Sequence, residues 1–220
     1  MKISSSHSKS RFLIVDLLSL ILAISLCSDS CQSARPERSE VDELGAVLEL
    51  NERSTVADVG AGSGEVGITL ATRLLPQGRL YSTEIDPGLI SKIRSNVIKA
   101  HAKNVFVVVG TLKDTGLPAN CCDAVFLREV YHHLSEPIAM DRALYRAVRP
   151  GGRLAIIDFE PTPLAGPRPS AVPANRGGHG VPKQLVIDEL TAAGFKLTKT
   201  LNWPISTDIE HFCMVFTKPD

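Results

Sequence analysis

Five residues have types and spacing that could do chemistry: Asp58, Gly60, Gly62, Gly64 and Glu84. The first four fall in Val-Ala-Asp-Val-Gly-Ala-Gly-Ser-Gly, residues 56–64, an apolar strand-like run that ends in three spaced glycines. A helical pattern follows at once. Glycines at a strand end let the backbone turn tightly and let a ligand approach where a Cβ would clash. The first free N–H groups of the next helix then face that ligand. Glu84 closes a second strand-like run, 79–83, and stands 24 residues after Gly60. That is close to the ~20 expected of an acid accepting hydrogen bonds from ribose hydroxyls. A carboxylate suits the task because its two oxygens can serve two neighbouring hydroxyls. Together these residues describe a site for a nucleotide-type cofactor.

The spacing narrows the cofactor. A dinucleotide fingerprint would read Gly-x-Gly-x-x-Gly, and here its third position is Glu65. A carboxylate beside a pyrophosphate is repelled, which disfavours NAD and FAD. The Gly-Lys-Ser/Thr of a phosphate-cradling loop is also missing. Residues 58–64 instead resemble motif I of the class I S-adenosylmethionine-dependent methyltransferases, Asp-x-Gly-x-Gly-x-Gly. The likeness covers residues 36–218 and is closest to the small-molecule, type 11 branch. It implies that Asp58, Gly60, Ala61, Gly62 and Gly64 hold the methionine end of S-adenosylmethionine. Glu84-Ile85-Asp86-Pro87 resembles the second motif, with Glu84 and Ile85 at the ribose, and Asp86 is expected to cap the helix that Pro87 opens.

After a third strand, 104–109, the family has an acid that contacts the adenine amino group. This chain has Thr111, so adenine selection falls to backbone groups and Leu112, with Asp114 as a substitute acid. A fourth strand, 123–128, leads to Arg128, Glu129, Tyr131, His132 and His133, the region that in the family lies beside the reacting methyl group. Arg128 is assigned to the cofactor site. His132 and His133 are the candidate general bases, because imidazole titrates near neutral pH; their alternative role is packing and capping of a helix start. Tyr131 is a candidate lining residue. Asp123 opens its strand and is expected to be structural.

The elements that must position these residues follow from periodicity. A helix over 136–148, a Pro-Gly-Gly stop at 150–152, a fifth strand 153–159, a helix 182–193 ended by Gly194, and strands 195–201 and 211–217 complete the pattern. Alternating strands and helices predict an α/β fold. The resemblance makes it a Rossmann-like seven-stranded sheet, mostly parallel with an antiparallel last strand, and with helices on both faces. Cofactors in such sheets bind beyond the carboxyl ends of the strands. Residues 161–182, rich in Pro, Gly and Arg, read as a loop that is either a lid or a plain surface connection.

Composition agrees with a globular enzyme. Apolar residues make up 44% and charged residues 22%, and 24 acids balance 24 bases, both ordinary proportions. No basic stripe is present, so a small-molecule substrate is expected and nucleic acid is not; oligomeric state is not legible. No metal is expected, since no Cys-x-x-Cys pair exists and adjacent histidines on a turn should point in different directions. Cys121 and Cys122 are expected to fill a strand edge rather than form part of a disulfide framework. Residues 1–34 resemble a signal peptide or an N-terminal membrane anchor: Lys2, Lys9 and Arg11 precede an apolar run, 12–26. Membrane association is expected only through that run. The methyltransferase domain is set at 35–220, exported or anchored, although a cofactor made in the cytosol conflicts with export; a misassigned start codon would make the protein cytoplasmic. The expected activity is methyl transfer to a small molecule, with a nicotinamide-dependent oxidoreductase and a non-catalytic S-adenosylmethionine binder as rivals.

Overall fold

Hydrophobic residues that alternate along a strand can be buried on both faces only if each face is covered. That is the arrangement in the computed structural model, which describes residues 39–205 and 207–220. The segment 1–34 and its membrane run lie outside the described residues. Seven strands form one sheet in the order β3-β2-β1-β4-β5-β7-β6. They are β1 Thr55–Val59, β2 Arg79–Glu84, β3 Val105–Val109, β4 Cys122–Arg128, β5 Val148–Phe159, β6 Lys196–Trp203 and β7 His211–Thr217. Strands β1 to β5 run parallel, and β7 is antiparallel to both β5 and β6. The expected α/β fold, with its antiparallel last strand, is the one observed.

Alternate residues of each strand enter opposite cores. Val125, Leu127, Leu154, Ile156, Met214 and Phe216 pack with Met140, Leu144 and Leu190 of helices α4 (Pro137–Ala147) and α5 (Lys183–Ala192). Ala124, Phe126, Ala155, Ile157, Cys213 and Val215 pack with Leu44 of α1 (Glu40–Val47) and Leu70 of α2 (Glu65–Ala71). Each Val, Leu, Ile, Phe or Met among them contributes about 1.5–3 kcal/mol on burial. Helix α3 (Pro87–Lys99) begins at the Asp86 cap, whose Oδ1 accepts from the Leu89 N–H at 2.8 Å. Asp123 is structural, as expected: it accepts from the Thr55 N–H at 2.6 Å and pairs with Arg149 at 2.7 Å.

Three local readings are corrected. Pro150-Gly151-Gly152 does not stand between helix and strand; β5 starts at Val148 and carries them through a register irregularity against β4. Cys121 and Cys122 are joined to each other in a vicinal disulfide rather than filling a strand edge as thiols. The segment 161–182 is not a bare surface loop, because Val172, Arg176 and Val181 are buried. Among the described residues no helix is long and apolar enough to cross a membrane.

The strand order reverses direction between β1 and β4, both of which end at the same edge. That edge is where an open α/β sheet leaves a crevice.

Candidate functional site

The loop after β1 is tied to β2 before any ligand is considered. Gly60 and Ala61 N–H groups both donate to the Thr83 carbonyl, at 2.9 and 3.0 Å, and Asn96 Nδ2 donates to the Ser63 carbonyl at 2.9 Å. The glycines do different jobs. A Cβ on Gly60 would come within 2.6 Å of Val130 Cγ1, so the protein's own side chain occupies that space. A Cβ on Gly64 would meet Ile93. At Gly62, with φ +57°, a Cβ would meet nothing within 4 Å. Of the three, Gly62 alone faces an open cradle that a side chain would fill.

Glu84 forms the wall of this cradle. It is 7% exposed and accepts three backbone N–H groups: Gly62 to Oε2 at 3.0 Å, and Ile85 and Asp86 to Oε1 at 2.7 and 3.2 Å. A carboxylate offers about four acceptor positions. Three are in use, so the carboxylate is fixed in place and about one position on Oε2 is left for a ligand hydroxyl.

Two cavities meet at Val130. One, of about 210 Å³, is lined by Gly60, Glu84, Ile85, Thr111, Leu112 and His133 among others. The other, of about 350 Å³, is lined by Asp58, Ala61, Gly62, Arg128 and Glu129 among others. Ile85 and Leu112 are large apolar side chains left 48% and 56% exposed at the first cavity. An exposed apolar pair beside a buried acid suits a flat base joined to a sugar. Asp114 lines this cavity too, but its carboxylate binds the Gly116 N–H and both its oxygens lie 2.8 Å from Arg146 Nη2. Those contacts hold its pKa below the ordinary value, the Gly116 N–H most strongly. They fix the ionised carboxylate at the rim of this cavity.

Charge in the second cavity is arranged around Arg128. Its Nε donates to Glu40 Oε1 at 2.6 Å and its Nη1 to Glu129 Oε2 at 2.7 Å. Glu129 adopts φ +55°, rare for a residue with a side chain, and its Oε1 lies 3.1 Å from His211 Nε2. Asp58, 3% exposed, lies under the loop, and burial pushes its pKa up to about 7 against the lowering influence of Arg128.

The residues singled out from the sequence thus converge, with exceptions. Gly64 lines neither cavity. Tyr131 is wholly buried, and its hydroxyl lies 3.1 Å from Asp141 and 3.0 Å from Glu189 instead of facing the cleft. Burial, reinforced by Glu189, lifts the Asp141 pKa to about 7. His132 is also buried, with Nδ1 2.7 Å from Asp158 Oδ1, so of the two histidines only His133 borders the cavity. The expectation that their rings diverge is wrong. The ring centroids lie 4.0 Å apart, and His179, from the segment after β5, stands 5.0 and 5.5 Å from them. Glu129 lies in the stretch expected beside the cleft and Val130 was not singled out within it, whereas Asp158 and His179 were not visible as site residues. Only the Gly-Gly-His-Gly run at 177–180 could have drawn attention to the last.

Residues 57–156 match the family model described as a methyltransferase domain. Among curated proteins, the arsenite methyltransferase of Halobacterium salinarum is 27% identical over 62% of this chain and 39% of its own length. A demethylmenaquinone methyltransferase of Listeria monocytogenes is 25% identical over 53% of this chain and 49% of its own. The chain therefore spans half or less of these curated relatives. Among solved structures, a SAM dependent methyltransferase from Aquifex aeolicus superposes with a TM-score of 0.67, at 24% identity, over 83% of this chain and 94% of that one. The family match over 57–156, the curated relatives and the shared fold together support a class I S-adenosylmethionine-dependent methyltransferase domain.

Proposed function

We propose that this protein transfers the methyl group of S-adenosylmethionine to a small-molecule acceptor. The observation that carries the reading is the pairing of the open cradle at Gly62 with the fixed carboxylate of Glu84 between two adjoining cavities. In this reading Glu84 binds the ribose, and Ile85 and Leu112 flank the adenine, with Thr111 at its edge. Asp58, Gly60, Ala61, Gly62 and Arg128 surround the methionine end. Gly64 serves the turn itself. The cofactor, when bound, supplies an already electrophilic methyl carbon.

The protein's own residues then have a limited task. They must hold the acceptor in line and keep water out, and positioning of that kind can supply roughly 7–11 kcal/mol. His132 is closed off against Asp158, and His133 faces two other imidazoles. Positioning therefore carries the proposed step, with no side chain assigned to remove a proton. Glu65, the first residue of α2, stands where a dinucleotide's pyrophosphate would need neutral backbone, which weighs against the nicotinamide alternative.

Calorimetric titration of the full chain with S-adenosylmethionine tests the proposal, followed by a screen of small-molecule acceptors for release of S-adenosylhomocysteine. Failure to bind the cofactor would overturn it. Binding without turnover on any acceptor would leave the non-catalytic binder.

A further inference from the structure

We infer that His132, His133 and His179 form a binding site for a divalent transition metal at the rim of the cofactor cavity. One ring nitrogen from each of the three lies within 4.8 Å of the other two. These are half of the six histidines in the chain, drawn from two segments more than forty residues apart.

The hydrogen bonds around the cluster are those of ligands rather than of packed aromatic rings. His132 Nδ1 lies 2.7 Å from Asp158 Oδ1, and His179 Nδ1 lies 2.6 Å from the Ala165 carbonyl oxygen. A carbonyl oxygen can only accept, so His179 Nδ1 carries the proton. The Asp158 carboxylate selects the same tautomer in His132. In both rings the lone pair is therefore on Nε2. Metal-bound histidines are oriented in this way, each giving its other N–H to a carboxylate or a carbonyl. Asp158 is itself held by the His132 and Phe159 backbone N–H groups, at 3.1 and 2.9 Å. Phe159 packs on the rings of His132 and His179, at 4.7 and 6.0 Å, and gives the site an apolar wall. His133 is the exposed member and leaves a way in from the cavity.

Three imidazoles suit zinc, or iron, nickel or copper in the same charge range, and not calcium or magnesium, which take oxygen ligands. Zinc–nitrogen bonds of about 2.0–2.1 Å in a tetrahedron set the ligand nitrogens roughly 3.4 Å apart. The rings must therefore close by up to about 1.4 Å on a metal, a distance within side-chain rotation. Three protein ligands leave the fourth position open. His133 borders the cofactor cavity, so that position opens toward the cleft, where an anionic oxygen or sulfur of an acceptor could bind. The metal site itself does not depend on the methyl-transfer reading; only this use of its open position rests on it.

The test is titration of chelator-treated full-length protein with cobalt(II), followed by visible absorption, and with zinc(II) by calorimetry, both without cofactor. The expected result is one metal per chain, with cobalt bands of four- or five-coordinate geometry. His179→Asn and His133→Asn should each weaken binding at least a hundredfold. Asp158→Asn, which keeps the ligands but loosens one, should weaken it 10–100-fold. His101→Asn, in a helix-end turn away from the cluster, should leave it unchanged. Circular dichroism of each variant establishes that it is folded. Absence of stoichiometric binding, or binding that survives His179→Asn in folded protein, would overturn the site. Cofactor calorimetry on the same samples reads separately, so loss of one proposal is not mistaken for loss of the other.

Discussion

Glu84 shows how a single acid can be both a structural and a functional residue. Three backbone N–H groups hold it, and one of them belongs to the glycine loop it faces. Glu84→Gln keeps the shape but turns one acceptor atom into a donor that meets an N–H. Hydrogen bonds to charged groups contribute about 1.5–3 kcal/mol. S-adenosylmethionine should therefore bind 10–150-fold more weakly to this variant, as read by calorimetry, with a drop of similar size in folding stability. Asp58 presents the opposite case. Burial raises its pKa from 3.8 to about 7, so the folded state holds a proton that the unfolded chain releases near pH 4. Its stabilising contribution is complete below pH 4 and is lost as pH rises through 7. Asp58→Asn carries no such charge. The cofactor-free variant should match the parent most closely in acid and gain over it by about 1–3 kcal/mol toward pH 8. Urea denaturation at pH 5 and pH 8 measures the gap; a gap that shrinks with rising pH would remove the buried-charge account.

Much of the site was legible at this scale because its signals are local. Asp58, the glycines and Glu84 are punctuated by strand ends, and a strand end is written in a few adjacent residues. Val130 and His179 were not legible for the opposite reason. Val130 is one valine among many until the fold sets it against Gly60. His179 reaches its partners only after β5 and the segment behind it have crossed the sheet edge.

At the scale of elements, the first described helix packs its apolar face on the sheet and adds one polar tie at its start. Glu40, at the start of α1, accepts from Arg128 Nε at the end of β4 and from Trp203 Nε1 at the end of β6, at 2.6 and 2.9 Å. The same helix carries Ser39 as its cap and acids in its first turn, which favour its N-terminus electrostatically. Glu40→Ala leaves the indole N–H unpaired and Arg128 with Glu129 alone. A loss of about 2 kcal/mol is expected from these broken contacts, seen as a lower denaturant midpoint. The freed Arg128 should also shift cofactor affinity, whereas a change at an exposed acid such as Glu52 should do neither. Strands were read well from sequence because a strand covered on both faces is a continuous apolar run. The start of β5 was misplaced because Pro150-Gly151-Gly152 carries the chemistry of a stop. Pairing of β5 with β4 and β7 overrides that local preference.

For the whole molecule, the test of the cradle is its coupling to folding. A ligand that binds only the folded state adds about 2.7 kcal/mol at a hundred times its dissociation constant. For a domain of this size, 1 kcal/mol corresponds to roughly 2–4 °C in Tm. Saturating S-adenosylmethionine should thus raise the melting temperature by about 5–11 °C, while NAD at the same concentration should not. Gly62→Ala separates folding from binding. Its Cβ enters open space, so only the backbone strain of a left-handed alanine is incurred, about 1–2 kcal/mol. The variant should melt within several degrees of the parent when free and show no cofactor-dependent rise. A full rise in Gly62→Ala would mean that the space beside this glycine lies outside the ligand's path, and the assignment of the two cavities to a single cofactor would fall with it.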